Sequence, residues 1–138
     1  MKNAFEGLGM KIKEMLFLSP GEAYEASKRG AYIVDIREEY ETGYKAFDVE
    51  KVLYSSFLGF ANRINDLPSD RYLIIADSSG TKSKEIVKFL KEKGFENVAV
   101  LNGGIINWER QEMPLKKDKN KELTGSCLCT LKTRVKRK

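Results

Sequence analysis

Three short apolar runs, the first ending in a carboxylate, constrain this chain more than any other feature. AYIVD (31–35), YLIIA (72–76) and VAVL (98–101) are each too brief to be a buried helix. None alternates with polar residues as a half-exposed strand does. Each therefore reads as a strand covered on both faces of a parallel sheet.

The intervening stretches have helical character. Ser19-Pro20 sets an N-cap residue before a proline at the first helical position, 21–29 continues with helix formers, and Gly30 can close the helix. Phe57, Phe60, Ala61, Ile64 and Leu67 recur on one helical face that Pro68 ends. KEIVKFLKEK (84–93) is amphipathic, with Ile86, Val87, Phe89 and Leu90 on its inner side and Gly94 at its end. REEYETGY (37–44) is a short charged helix or turn, and VLY (52–54) is a further strand. Asn102-Gly103-Gly104 turns the chain into a last short helix, IINWER (105–110), with Trp108 and Pro114-Leu115 as core and strand-capping elements. Alternation of this kind predicts the α/β class: a central, mostly parallel sheet flanked by helices, joined by right-handed crossovers.

Composition removes several chemistries. The chain of 138 residues is the size of one domain, and it contains no histidine and two cysteines. That excludes a Ser-His-Asp triad, a Cys-His pair and imidazole ligation, and it falls short of a structural zinc site or a disulfide framework. No metal or cofactor is expected. The longest charge-free runs, 52–62 and 97–108, are far below the roughly 18 apolar residues of a membrane span. Glu6, Lys11, Lys13 and Glu14 interrupt any apolar signal segment, so the reading is cytoplasmic.

The net charge of +5 is unevenly placed: 116–138 carry nine basic and two acidic residues, and 1–115 carry 16 basic and 18 acidic. The acidic body thus ends in a basic segment that reads as a solvated, flexible tail. No aromatic residue follows Trp108 to stack on bases, which argues against nucleic acid as a partner despite the charge.

In open sheets, sites lie beyond the carboxyl ends of the strands. Two polar clusters fall there: 35–38, with Asp35 and Arg37, and the loop Asp77, Ser78, Ser79, Gly80, Thr81, Lys82 and Ser83. Lys82 and Ser83 open a helix beside an N–H-rich loop, which suits contact with an anion or a protein partner. Asp77 could also be read as a phosphoryl acceptor, which would need a divalent ion and offers only Asp35 as a second carboxylate.

SPGEAYEASKRGAYIVDIREEYE (19–41), YLIIADSSGTKSKEIVKFLKEKGFENV (72–98) and LNGGIINWERQEMPL (101–115), in that order, resemble the rhodanese family of sulfurtransferases. The resemblance implies a rhodanese-like domain over 19–115, an N-terminal extension over 1–18, and a basic tail over 116–138. In that family the strand matching YLIIA is followed by a cysteine that carries sulfane sulfur, then four residues and usually an arginine. The loop's backbone N–H groups surround the thiolate and lower its pKa. Here Asp77 stands at the cysteine position and Lys82 at the arginine position, and the loop has the length of the sulfur-handling members. Gly43-Tyr44 replaces the family's frequent Gly-His, and Asp35 and Arg37 match its Asp-x-Arg.

A carboxylate forms no persulfide. The resemblance therefore implies a domain inactive at the usual loop, with Asp77 as a built-in anion, acting as an anion- or protein-binding or regulatory module in sulfur metabolism. One alternative stays open. Cys127 and Cys129 form a C-x-C pair among lysines and arginines that favour thiolate, and they could carry sulfur from a donor to an acceptor in place of the loop. They could equally be incidental, or bind a soft metal such as Cu(I).

Overall fold

The strands pair as a sheet ordered β1-β2-β7-β6-β3-β5 in the computed structural model, which describes residues 3–118. In chain order the elements are β1 (Met10–Ile12), β2 (Met15–Leu18), α1 (Pro20–Lys28), β3 (Tyr32–Asp35), α2 (Glu39–Tyr44), β4 (Lys45–Phe47) and β5 (Val52–Tyr54). There follow a 3₁₀ helix (Phe60–Asp66), β6 (Leu73–Ala76), α3 (Thr81–Glu92), β7 (Val98–Leu101), α4 (Gly104–Arg110) and β8 (Leu115–Lys117). All neighbours in the sheet are parallel except the edge strand β1, which is antiparallel to β2.

The apolar runs are buried on both faces because successive side chains point to opposite sides. Ile33, Ile74, Ala76, Ala99 and Leu101 meet Ala23 and Ala26 of α1 and Ile105 and Trp108 of α4. Val34, Ile75, Val98 and Val100 meet Phe60 and Ile86, Val87 and Leu90 of α3. Trp108 is fully buried, packs edge-on against Phe47, and donates its indole N–H to the Pro114 carbonyl at 2.8 Å. No described helix is long and apolar enough to cross a membrane.

The folded unit is wider than the 19–115 span drawn from the sequence. β2 lies in the sheet beside β7, with Leu18 fully buried, and β8 pairs antiparallel with β4. Lys116 and Lys117 thus belong to a strand and not to a flexible tail. Both strands are short; β2 pairs locally with β1, but the strands that fix β2 and β8 in the fold, β7 and β4, are remote in sequence. Ser19 caps α1 as expected, and Glu22 of the reciprocal cap also accepts the Gly9 N–H at 2.9 Å, tying the N-terminal segment to the helix. The helix expected around 57–67 is a 3₁₀ helix, confined between Gly59 and Pro68. α3 starts at Thr81, earlier than the amphipathic run indicates, because Gly80 (φ +99°) turns the chain directly into it.

The small sheet sets Lys45 opposite Lys117, a repulsive pairing that Glu109 of α4 relieves by bonding both ammonium groups, Lys117 at 2.8 Å. Hydrogen bonds from Lys117 and then Lys45 hold the Glu109 carboxyl down at about 2. A carboxyl depressed on folding contributes stability above its unfolded value and loses it as pH falls through the folded value. Glu109→Gln is therefore expected to cost on the order of 1 kcal/mol at pH 6, the scale of a solvent-exposed ion-pair network. The gap between the Tm values of wild type and variant should close as pH drops from about 4.5 toward 2. A gap that persists unchanged at pH 3 would contradict this role.

Candidate functional site

β6 delivers Asp77 to the carboxyl end of the sheet, and α3 begins four residues later. The side chain is only 5% exposed. Its Oδ1 accepts the Gly80 N–H and the Ser83 hydroxyl (3.1 Å), and its Oδ2 accepts the Lys82 N–H at 2.8 Å. The loop thus curls around a carboxylate of its own, at the N-terminus of a helix whose dipole favours negative charge.

The other side of the loop is held by α4. The Ile105 N–H donates to the Asp77 carbonyl at 2.9 Å and the Ile106 N–H to the Ser78 carbonyl at 3.1 Å. This lock requires close backbone approach, and Gly104 (φ +64°) permits it: a Cβ there would lie 2.4 Å from the Ser78 carbonyl carbon and oxygen.

Asp35 and Arg37 form a buried bidentate pair at the end of β3. Arg37 Nε reaches Oδ1 at 3.0 Å and Nη2 reaches Oδ2 at 2.8 Å, and Nη2 also donates to the Lys45 carbonyl at 2.6 Å. The pair joins β3 to β4 and leaves Asp35 committed to Arg37 on both oxygens. With both oxygens engaged, Asp35 is not free to serve as a second carboxylate for a divalent ion at Asp77. Burial, with the Asp35 charge adding to it and Arg37 opposing, raises the nearby Tyr54 phenol above its ordinary value.

Ile36, Glu38, Tyr40, Glu41, Ser78, Ser79, Thr81 and Lys82, with Arg37 and Asp77, line a cleft of about 310 Å³. A second hollow of about 250 Å³ shares Arg37, Tyr40, Glu41 and Ser78 with it and extends to Tyr44, Lys45, Ile105 and Ile106. Glu41 Oε1 accepts the Glu38 N–H at 3.1 Å, and its Oε2 lies 3.4 Å from the Ser78 hydroxyl.

The structure brings Asp77, Ser78, Ser79, Thr81 and Lys82 together on this cleft. Ser83 is fully buried beneath Asp77 and is a support of the loop, not a surface contact. The Lys82 ammonium sits 5.1 Å from the centre of the Phe57 ring. Cys127 and Cys129 lie outside the described residues. Glu38 belongs to the 35–38 cluster that the sequence placed at a strand end, whereas Tyr40 and Glu41 were passed over; their signal was the charged stretch directly after that cluster.

The family profile of the rhodanese-like domain matches residues 19–111. The chain belongs to the rhodanese-like family. Among the relatives of this rhodanese-like domain, the thiosulfate sulfurtransferase GlpE of Haemophilus influenzae (strain PittEE) is 34% identical over 110 residues, covering 77% of this chain and 96% of that protein. The putative sulfurtransferase YtwF of Bacillus subtilis (strain 168) is 28% identical over 105 residues, covering 76% of this chain and 98% of that one. Among solved structures, the polysulfide-sulfur transferase homodimer of Wolinella succinogenes superposes with a TM-score of 0.68 at 20% identity, covering 76% of this chain and 80% of that one. The rhodanese-related protein of Thermoplasma volcanium gives 0.65, also at 20% identity, over 72% and 95% of the two chains. The rhodanese-like domain thus has the fold of these structures: a mostly parallel sheet between helical layers.

Proposed function

We propose that this rhodanese-like protein does not use its loop for sulfur transfer and acts as a binding or regulatory module in sulfur metabolism, presenting the Asp77 cleft to a protein partner. One observation carries the reading: the Asp77 carboxylate takes the Gly80 and Lys82 N–H groups and the Ser83 hydroxyl. The donors that would stabilise a thiolate or bind an incoming anion are already engaged. Glu38 and Glu41 on the rim oppose the attraction that Lys82 offers an anionic donor such as thiosulfate.

The test is thiocyanate formation from thiosulfate and cyanide by the purified chain. No turnover above the uncatalysed rate is expected. Turnover that survives both Asp77→Ala and the double variant Cys127→Ser/Cys129→Ser would sink the reading.

A second reading draws on the names of the relatives and on the C-x-C pair. A thiolate of Cys127 or Cys129 would attack the sulfane sulfur of a donor. A new S–S bond would form, and the rest of the donor would leave with the electron pair of the broken bond. Mass spectrometry after exposure to a persulfide donor separates the two. A gain of one sulfur atom that vanishes in Cys127→Ser/Cys129→Ser supports the relay, and an unmodified chain removes it.

A further inference from the structure

The hollow beside the Asp77 loop is walled by Tyr44 and Lys45, and the described chain ends at that wall. The Asp118 N–H donates to the Tyr44 carbonyl at 2.8 Å, and β8 sets Lys117 opposite Lys45. Residues 119–138 therefore begin at the rim of the hollow.

Surface and segment are complementary. Tyr40 and Ile106 are 67% and 53% exposed there, large apolar side chains beside the Glu41 carboxylate, and Glu38 lines the adjoining cleft that shares Tyr40 and Glu41. Of the three cations lining the two hollows, Arg37 pairs with Asp35, Lys45 pairs with Glu109, and the Lys82 ammonium lies against the Phe57 ring. Residues 3–118 hold 17 basic and 19 acidic residues, whereas 119–138 hold seven basic residues against Glu122 alone. Leu123, Leu128, Leu131 and Val135 are interspersed among those charges. An apolar groove with an acidic rim suits such a segment. Tethering at the rim supplies a high effective concentration without any further contact.

We propose that residues 119–138 of the same chain occupy this groove, basic side chains against Glu38 and Glu41 and leucines against Tyr40 and Ile106. The inference rests on the binding-module reading and names the first ligand of that module as the protein's own C-terminal segment. An outside partner must then displace it. Cys127, nine residues beyond Asp118 and within about 30 Å of extended chain, can be carried over the Asp77 loop.

The test uses the full chain carrying Cys127→Ser, with a nitroxide on Cys129, and reads amide signals by NMR. Paramagnetic loss of the Tyr40, Glu41 and Ile106 signals is expected. They should return as salt is raised toward about 1 M, where the screening length is about 3 Å. They should also return in Glu38→Lys/Glu41→Lys. Because Glu41 also bonds within the site, Glu38→Lys alone is the second variant, with a smaller recovery expected. Retained signals in the labelled chain, or losses indifferent to salt and to both variants, would overturn the proposal. So would broadening that passes from a labelled chain to an unlabelled one in a mixture, since the occupant would then be another copy. Thiosulfate turnover at the loop would sink the module reading and leave these distances unchanged; a silent loop with no broadening would do the reverse.

Discussion

Gly104→Ala is expected to destabilise the protein by at least about 3 kcal/mol, in the range reserved for strain combined with broken buried hydrogen bonds. The new Cβ would stand 2.4 Å from the Ser78 carbonyl carbon and oxygen and 2.5 Å from the Asp77 oxygen. All three are backbone atoms, so no flexible side chain can yield. Relief requires α4 to move away from the loop, which breaks the Ile105 and Ile106 N–H bonds to Asp77 and Ser78 and disturbs the burial of Ile105 and Trp108. The φ of +64° adds strain for any residue with a Cβ. Gly94→Ala is the control. Its φ is +97° but nothing lies within 4 Å of an added Cβ, so it should cost only the conformational strain, roughly 1–2 kcal/mol. Urea unfolding of the two variants measures the difference. Equal losses would mean that the close approach of α4 to the loop contributes nothing to stability.

Asp77→Ala is expected to cost about 2–4 kcal/mol and to convert the loop into an anion site. The loss follows from leaving the Gly80 and Lys82 N–H groups and the buried Ser83 hydroxyl without their acceptor. The conversion follows from the geometry that remains: converging donors at the start of a twelve-residue helix, with the internal charge removed. Added sulfate should raise the Tm of Asp77→Ala more than that of wild type. The comparison matters because sulfate also stabilises proteins generally through exclusion from their surfaces. An equal rise in both proteins would show that the loop does not hold its shape without the carboxylate. Asp77→Asn should fall between them, since its amide oxygen can still accept but its NH₂ faces a donor.

Much of the scaffold was legible because it is specified locally. Ser19 and Pro20 start α1 where a side-chain acceptor and a fixed φ favour it, and Pro68 ends the helical turn before β6. The apolar runs ending at Asp35, Ala76 and Leu101 lie as strands buried on both faces. Asp77 was identifiable as the residue at the tip of the central strand, in a loop of donors. The 3₁₀ geometry of Phe60–Asp66 was not, because the same apolar spacing suits either helix and the short interval between Gly59 and Pro68 decides.

By itself, then, the sequence determined the layered parallel sheet, the positions of its central strands, and the fact that every thiol lies outside the loop. Periodicity, caps and turns are properties of a few adjacent residues, and so is the identity of residue 77. Tertiary structure alone decided that Met15–Leu18 joins the sheet beside β7 and that β8 closes on β4. It also decided that Gly104 admits α4 against the loop, and that Glu38, Tyr40 and Glu41 form the rim of the cleft. These outcomes depend on partners tens of residues away, whose hydrogen bonds and close contacts exist only once the chain has folded.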